Sequence, residues 1–363
     1  MHIVIDNIVY SLQKIGGISC VFFELTKRIL KDDRFDVCFL DQEKGYDNFY
    51  RRKLDDISTK QSLFYRFKNS FCERFLNPKL NIKSSYIFHS SYYRISRDKS
   101  AINLTTVHDF VYERYGLQGW RGKLHQWQQK FAVLHSDAVI CISENTKKDL
   151  LYFYKNINPN NVFVVYNGVS EDYFHIENIA EVKFPFTPKS YCVYVGSRIS
   201  YKNFLLAVKS CAYAKMKMVI IGSPLTVEEK KNLNSLFGDN NYVCLSNVSN
   251  SKLNEVYNGA FCLLYLSSYE GFGIPCLEAQ RAGCPVISYN SSSIPEVMAS
   301  KDMMITELSV SAVSRLISNL QEPLFRERIV SEGINFAKQF SWDKCYKETT
   351  KVYNIVFQKY KKQ

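Results

Sequence analysis

The sequence contains no apolar stretch approaching the roughly 18 residues that would span a bilayer as a helix. Met1 leads straight into Ile3-Val4-Ile5, with no basic segment preceding an apolar one, so no secretory leader is expected. Cysteine is present but unorganised. The 11 cysteines are odd in number and include no Cys-x-x-Cys, and several, such as Cys141 and Cys262, lie inside apolar runs. This usage fits buried free thiols in a reducing compartment, so a cytoplasmic location is expected. Such dispersed thiols exclude a clustered zinc site. No zinc-finger spacing, ribonucleoprotein signature or basic zipper occurs, so nucleic acid is not the expected partner. There is no Gly-x-Gly-x-x-Gly, and a dinucleotide cofactor is not indicated. Low-complexity segments and short internal repeats are also missing.

What is present is an ordinary globular composition on a long chain. The 363 residues are 46% hydrophobic and 23% charged, and the length suggests two domains at about 100–200 residues each. The formal net charge of +12 favours an anionic partner, such as phosphorylated ligands or an acidic membrane surface met peripherally. One basic-aromatic segment stands out. Gln61–Leu76 carries Phe64, Phe67, Phe71 and Phe75 at helical spacing, interleaved with Arg66, Lys68 and Arg74. It reads as a helix, with its aromatic face either in the core or against acidic lipid.

Short apolar runs alternate with longer amphipathic stretches, twice over. The first series is Ile3–Ile5, Val37–Leu40, Tyr86–Phe88, Leu104–Val107, Ala138–Ile142 and Val162–Val165. The second is Tyr191–Val195, Met218–Ile221, Tyr242–Leu245, Phe261–Leu266 and Val286–Ile287. These read as buried parallel strands with helices between them, an α/β chain of two Rossmann-like halves. Ile176–Ser190, with Pro185, Pro188 and mixed charges, reads as the linker. The last third has helical periodicity over Ala312–Leu320, Leu324–Lys338 and Asp343–Tyr360.

The strongest chemical signal is Glu270-Gly271-Phe272-Gly273-Ile274-Pro275-Cys276-Leu277-Glu278-Ala279, directly after an apolar run. Its glycines permit close backbone approach to a ligand. A helix beginning near Ile274, with Pro275 in its first turn, would offer free N–H groups to a diphosphate or to sugar hydroxyls. Glu270 and Glu278 can each accept hydrogen bonds from vicinal hydroxyls; paired carboxylates also serve as a hydrolase acid and base. A second signal is Gly196-Ser197-Arg198 followed by Tyr201-Lys202-Asn203, where a strand ends and two phosphate-competent cations follow. A third is the glycine pair Gly16-Gly17 before Ile18.

The run over 270–278 resembles the E-x7-E motif of the family 4 retaining glycosyltransferases, and Gly283–Ile287 and Pro295-Glu296-Val297 are similar to its continuation. The 196–203 loop is similar to that family's donor-phosphate loop, although Ser197 separates glycine from arginine. Val107-His108-Asp109, Ser143–Lys147, Asn167-Gly168-Val169 and Phe340-Ser341-Trp342 also resemble family segments. The Gly16-Gly17-Ile18 opening and Phe88–Tyr93 look most like bacterial O-antigen and capsule mannosyltransferases.

The resemblance implies a GT-B fold, two Rossmann-like domains facing a central cleft. The acceptor domain would be 1–175 with a returning helix at about 343–363, and the nucleotide-sugar donor domain 190–342. It implies transfer of a hexose, with mannose from GDP-mannose favoured, to a polyprenyl-diphosphate-linked or oligosaccharide acceptor. No cofactor or metal is expected, and no Asp-x-Asp occurs to suggest a metal-dependent GT-A enzyme. By resemblance, Arg198 and Lys202 would meet the leaving diphosphate, Glu270 the transferred sugar, Glu278 the ribose and His108 the donor sugar or the reacting region. Gly16, Gly17, Gly196, Gly271, Phe272, Gly273 and Ile274 would line the donor site. The alternatives are a GT-B nucleotide-sugar epimerase, a phosphorylase or a non-enzymatic basic Rossmann-like binding protein.

Overall fold

The computed structural model describes residues 1–55, 57, 62–64, 73–116, 119–179, 182–238 and 240–361. The chain forms two units, Met1–Asn167 with Trp342–Gln363, and Gly168–Ser341.

In the first unit the apolar runs become the strands β1 (His2–Asp6), β2 (Asp36–Asp41), β3 (Ser62–Phe64), β4 (Tyr86–Ser90), β5 (Ala101–Val107), β6 (Ala138–Cys141) and β7 (Val162–Val164). They pair in the order β3-β2-β1-β4-β5-β6-β7, every pair parallel. β4 and β5 are buried along their whole length, as expected for strands covered on both faces. Val4, Leu40, Tyr86, Phe88 and Ala101 pack into one core cluster.

The second unit repeats the plan with β8 (Tyr191–Val195), β9 (Lys217–Ile221), β10 (Tyr242–Leu245), β11 (Cys262–Tyr265), β12 (Val286–Tyr289) and β13 (Met304–Ile305), ordered β10-β9-β8-β11-β12-β13. Both sheets are doubly wound, and in each the strand order reverses beside the first strand. Ligands of such sheets bind at the carboxyl ends of the strands flanking that reversal. In the second unit this point lies between β8 and β11.

Three sequence expectations change. Ser62–Phe64 is an edge strand paired with β2, not part of a helix, and the rest of the expected helix up to Cys72 lies outside the described residues. β13 has only two residues, too few to show a periodicity. The division between units falls at Asn167/Gly168, ahead of the expected linker. The reason is local hydrogen bonding. The Phe174 and Ile176 amides donate to Asn254 Oδ1 (3.0 Å) and Asn258 Oδ1 (2.8 Å), and Lys189 Nζ donates to Asn258 O (2.7 Å). These bonds fasten the stretch to the second unit. The chain returns to the first unit at the helix Trp342–Lys361, where Arg28 Nε donates to Asp343 (2.5 Å). Among the described residues, no helix is long and apolar enough to cross a membrane.

Candidate active site

Two loops meet at the switch point of the second unit. The first leaves β8 through Gly196, whose φ of 125° suits glycine, and closes with a 3-10 turn over Ser200–Lys202. The second leaves β11 and runs through Glu270 into the helix Ile274–Arg281. Asn203, at φ 52°, ties them together: its Nδ2 donates to Leu266 O (2.8 Å) and Ser268 Oγ (2.8 Å). The Ser268 amide donates back to Tyr201 O (2.8 Å).

This stitching brings Lys202 to Glu270, with Nζ 2.5 Å from Oε1. Both side chains are mostly but not wholly buried, so the pair remains open to a ligand. Lys202 also lies over the Tyr201 and Tyr265 rings, at 5.5 and 5.8 Å, where the ring faces favour a cation. Glu270 is held through its backbone. Its amide donates to Ser292 Oγ (2.8 Å), and Ser293 Oγ donates to the carbonyls of Glu270 (2.8 Å) and Phe272 (2.9 Å). The loop after β12 therefore braces the glycine turn. The serines that brace it were not singled out from sequence, since isolated polar residues in loops carry no periodic signal.

Gly273 caps the helix at φ 112°, a conformation that L side chains rarely adopt. An added Cβ there would lie 3.0 Å from Ile294 and 3.1 Å from Val297. Gly273 is thus required by both conformation and space, and it leaves the Ile274 amide at the anion-receptive start of the helix, since Pro275 has no N–H and the Cys276 amide donates to Gly273 O (3.0 Å). Gly271, Phe272 and Ile274 belong to the same turn, with Phe272 buried against Phe340. One turn further in, Glu278 accepts a hydrogen bond from Tyr257 Oη (3.3 Å). Protein surrounds this carboxyl although an edge stays accessible, and burial pushes it up to about 7, partly offset by the Tyr173 and Tyr257 hydroxyls.

Arg198, expected by resemblance to meet the leaving diphosphate, is engaged by protein groups in this structure. Its Nε donates to Glu229 Oε1 (2.6 Å), Nη1 to Ser223 O (2.9 Å), and Nη2 to Pro224 O (2.9 Å) and Glu229 Oε2 (3.2 Å). The side chain is 9% exposed. Glu229 closes a capping box with Thr226 at the start of the helix Val227–Phe237. The guanidinium is satisfied by this carboxylate and these carbonyls, so it braces the loop after β9.

The remaining expected residues lie in the first unit. Gly16 is extended, and Gly17 begins the helix Gly17–Ile29 with nothing within 4 Å of an added Cβ. His108 follows β5, buried edge-on to Phe22, with its Nε2 unpartnered among the described residues. Burial lowers its pKa to about 4, so the ring is neutral at pH 7. Phe22 also meets the His89 ring edge-on at 5.1 Å, and His89 is bonded to Tyr353 Oη (2.6 Å) and Thr106 Oγ1 (2.8 Å). Two buried ion pairs hold the surrounding loops. Arg94 Nε donates to Asp6 Oδ2 (2.8 Å), and Arg51 reaches Asp41 through Nη2 (2.7 Å) and Nε (2.8 Å).

Comparison with known proteins bears on both units. Residues 175–335 match the family described as Glycosyl transferases group 1, and residues 64–173 match Glycosyltransferase Family 4. The chain is 36% identical to the Escherichia coli O-antigen chain mannosyltransferase B over 113 residues, which are 31% of this chain and 30% of that protein. It therefore matches less than a third of that relative's length. An uncharacterized glycosyltransferase of Methanocaldococcus jannaschii is 22% identical over 373 residues, covering 97% of this chain and 98% of that one. The crystal structure of Anabaena HepE in complex with UDP and glucose is similar at a TM-score of 0.70 and 13% identity, covering 98% of this chain and 99% of that chain. That likeness shows the fold, GT-B.

Proposed function

We infer from the matches to Glycosyl transferases group 1 and Glycosyltransferase Family 4 that this chain is a family 4 glycosyltransferase, which transfers a hexose from a nucleotide sugar to a growing surface polysaccharide. The observation that carries the reading is the Lys202–Glu270 pair beside the Gly273-capped helix end. A cation, a helix start and a hydroxyl-binding carboxylate are the groups that a sugar attached to a diphosphate needs. During transfer the bond from the sugar's anomeric carbon to the diphosphate breaks, the acceptor hydroxyl oxygen takes its place, and the hydroxyl's proton passes to the departing diphosphate. Lys202 and the amides near Gly273 and Ile274 meet the charge that grows on the departing diphosphate, an electrostatic contribution realised mainly in the transition state. Glu270 takes hydroxyls of the transferred hexose and Glu278 those of the ribose. Arg198 acts as a positioning residue for the loop after β9.

The first unit is assigned the acceptor, which we take to be lipid-linked or an oligosaccharide. Mannose from GDP-mannose is the favoured donor, supported by the partial match to an O-antigen mannosyltransferase. Retention of anomeric configuration and independence from metal and cofactor are part of the same reading.

The test is a thermal-shift screen with GDP, UDP, ADP and their sugar conjugates, since a ligand that binds only the folded chain raises its apparent stability. Stabilisation by one nucleotide series, lost in Lys202→Ala, followed by sugar transfer to an acceptor, supports the reading. Release of sugar without any acceptor would point to an epimerase. No response to any nucleotide would sink it.

A further inference from the structure

The outer face of the helix Trp120–Leu134 is built unlike an ordinary solvated surface. Its inner face is polar and committed. Gln128 Nε2 donates to Tyr93 O (3.2 Å), Gln129 Nε2 donates to Asp109 O (3.0 Å), and the His125 ring stacks on Tyr112 at 4.0 Å. Those bonds fix the helix in one rotation, and its largest aromatic groups face out. Trp120 is 61% exposed and Trp127 57%. Trp127 stacks on Phe131 at 5.6 Å, one turn on, and Arg121 lies over the Trp120 ring at 5.3 Å. Lys123 and Lys130 are exposed on either side of Trp127. No Asp or Glu occurs between Trp120 and Leu134. The nearby carboxylate, Glu113, is half-buried and accepts from Tyr154 Oη (3.2 Å). Tyr152, at the end of the helix Glu144–Phe153, is also exposed.

An exposed tryptophan pair has a hydration cost that the core does not relieve here. Tryptophan is favoured where an apolar medium meets a polar one, as at the headgroup level of a bilayer. Flanking lysine and arginine with no opposing acid attract anionic headgroups. A helix with such a face lies in the membrane plane rather than across it.

We propose that the face of the helix Trp120–Leu134 carrying Trp120, Lys123, Trp127 and Lys130 docks the protein on an acidic lipid bilayer. Charge complementarity selects the occupant: the face is cationic around its aromatics, in a chain of net charge +12. Docking is a property of this surface alone and does not depend on the transferase reading.

The chain supplies its own probe. It has 3 tryptophans, and the third, Trp342, is 5% exposed. Intrinsic fluorescence of the full chain, without nucleotide, should therefore shift to shorter wavelength on phosphatidylglycerol–phosphatidylcholine vesicles and not on pure phosphatidylcholine. Brominated lipid should quench it, and salt should reverse the binding. Lys123→Glu with Lys130→Glu should weaken vesicle sedimentation about 30-fold or more, while leaving circular dichroism unchanged. In Trp120→Ala with Trp127→Ala, the remaining Trp342 emission should ignore vesicles. Full-strength sedimentation of both double variants would overturn the proposal, as would no binding of the native chain at low salt. A shift evoked equally by an uncharged soluble polysaccharide would also overturn it, making the tryptophans a glycan-stacking surface.

Discussion

Lys202 and Glu270, 68 residues apart in sequence, meet at 2.5 Å where the strand order of the second sheet reverses. Neither loop could hold the pair alone. Asn203 and Ser268 cross-link the two loops, and Ser292 and Ser293 hold the backbone of Glu270 from a third. The pair places a cation next to a carboxylate, so an anionic leaving group and a neutral, hydroxyl-rich sugar can both be bound with little reorganisation.

Lys202→Met should lower kcat/KM about 100-fold or more, as loss of a group that stabilises transition-state charge does. Because both side chains keep an exposed edge, water can reach the carboxylate left behind, and unfolding by urea should shift less than in Arg198→Ala. Steady-state transfer assays and a urea titration on the same preparation check both halves. A normal rate with lost stability would make the pair structural.

Arg198→Ala should behave in the opposite way. It leaves two carbonyls and Glu229 without their donor and should cost about 1–3 kcal/mol of stability. Its effect on kcat should be smaller than that of Lys202→Met. If Arg198→Ala instead abolishes transfer at unchanged stability, its guanidinium must leave Glu229 during the reaction.

Glu278 makes stability depend on pH in a defined direction. Its carboxyl rises from 4.5 to about 7 in the folded chain, so the native state holds this proton more tightly than the unfolded state. Its contribution is most favourable below the unfolded value, declines as pH climbs between the two, and is constant above the folded value. Glu278→Gln should therefore be more stable than the native chain at alkaline pH, by about 1–3 kcal/mol, and the gain should vanish toward pH 4–5. Melting temperature against pH for both proteins measures this. Nucleotide binding should weaken in the same variant if the carboxylate takes ribose hydroxyls.

Arg94→Ala should be among the most damaging substitutions outside the site. Asp6 is fully buried and would keep its charge without its bidentate partner, at a cost of about 3–5 kcal/mol. Adding Asp6→Asn should recover part of that loss. Chemical denaturation of the two variants, analysed as a double-mutant cycle, tests the coupling.

Much of this molecule was legible in its residues. Each of the apolar runs named from sequence lies in or overlaps a strand, because parallel strands buried on both faces must be continuously apolar. β13 and the short edge strand over Ser62–Phe64 escaped, since two or three residues cannot display a period. The glycine turn at 270–278 was legible because Gly273 answers to backbone geometry that few other residues can meet. The partners of Arg198 were not legible, because a basic residue after a strand looks the same whichever anion or carbonyl lies near it.

The alternation of strands and helices, the helix end at Ile274 and the overall basic charge were set by residue order alone, through local conformational preference and burial. Tertiary structure decided which distant groups became partners. It joined Lys202 to Glu270, turned Arg198 to the loop after β9, raised the carboxyl of Glu278 by enclosing it, and left Trp120 and Trp127 facing outward. Each of these depends on what lies across a gap of many residues. Electrostatics and desolvation act through space, so the order of residues along the chain does not reveal them.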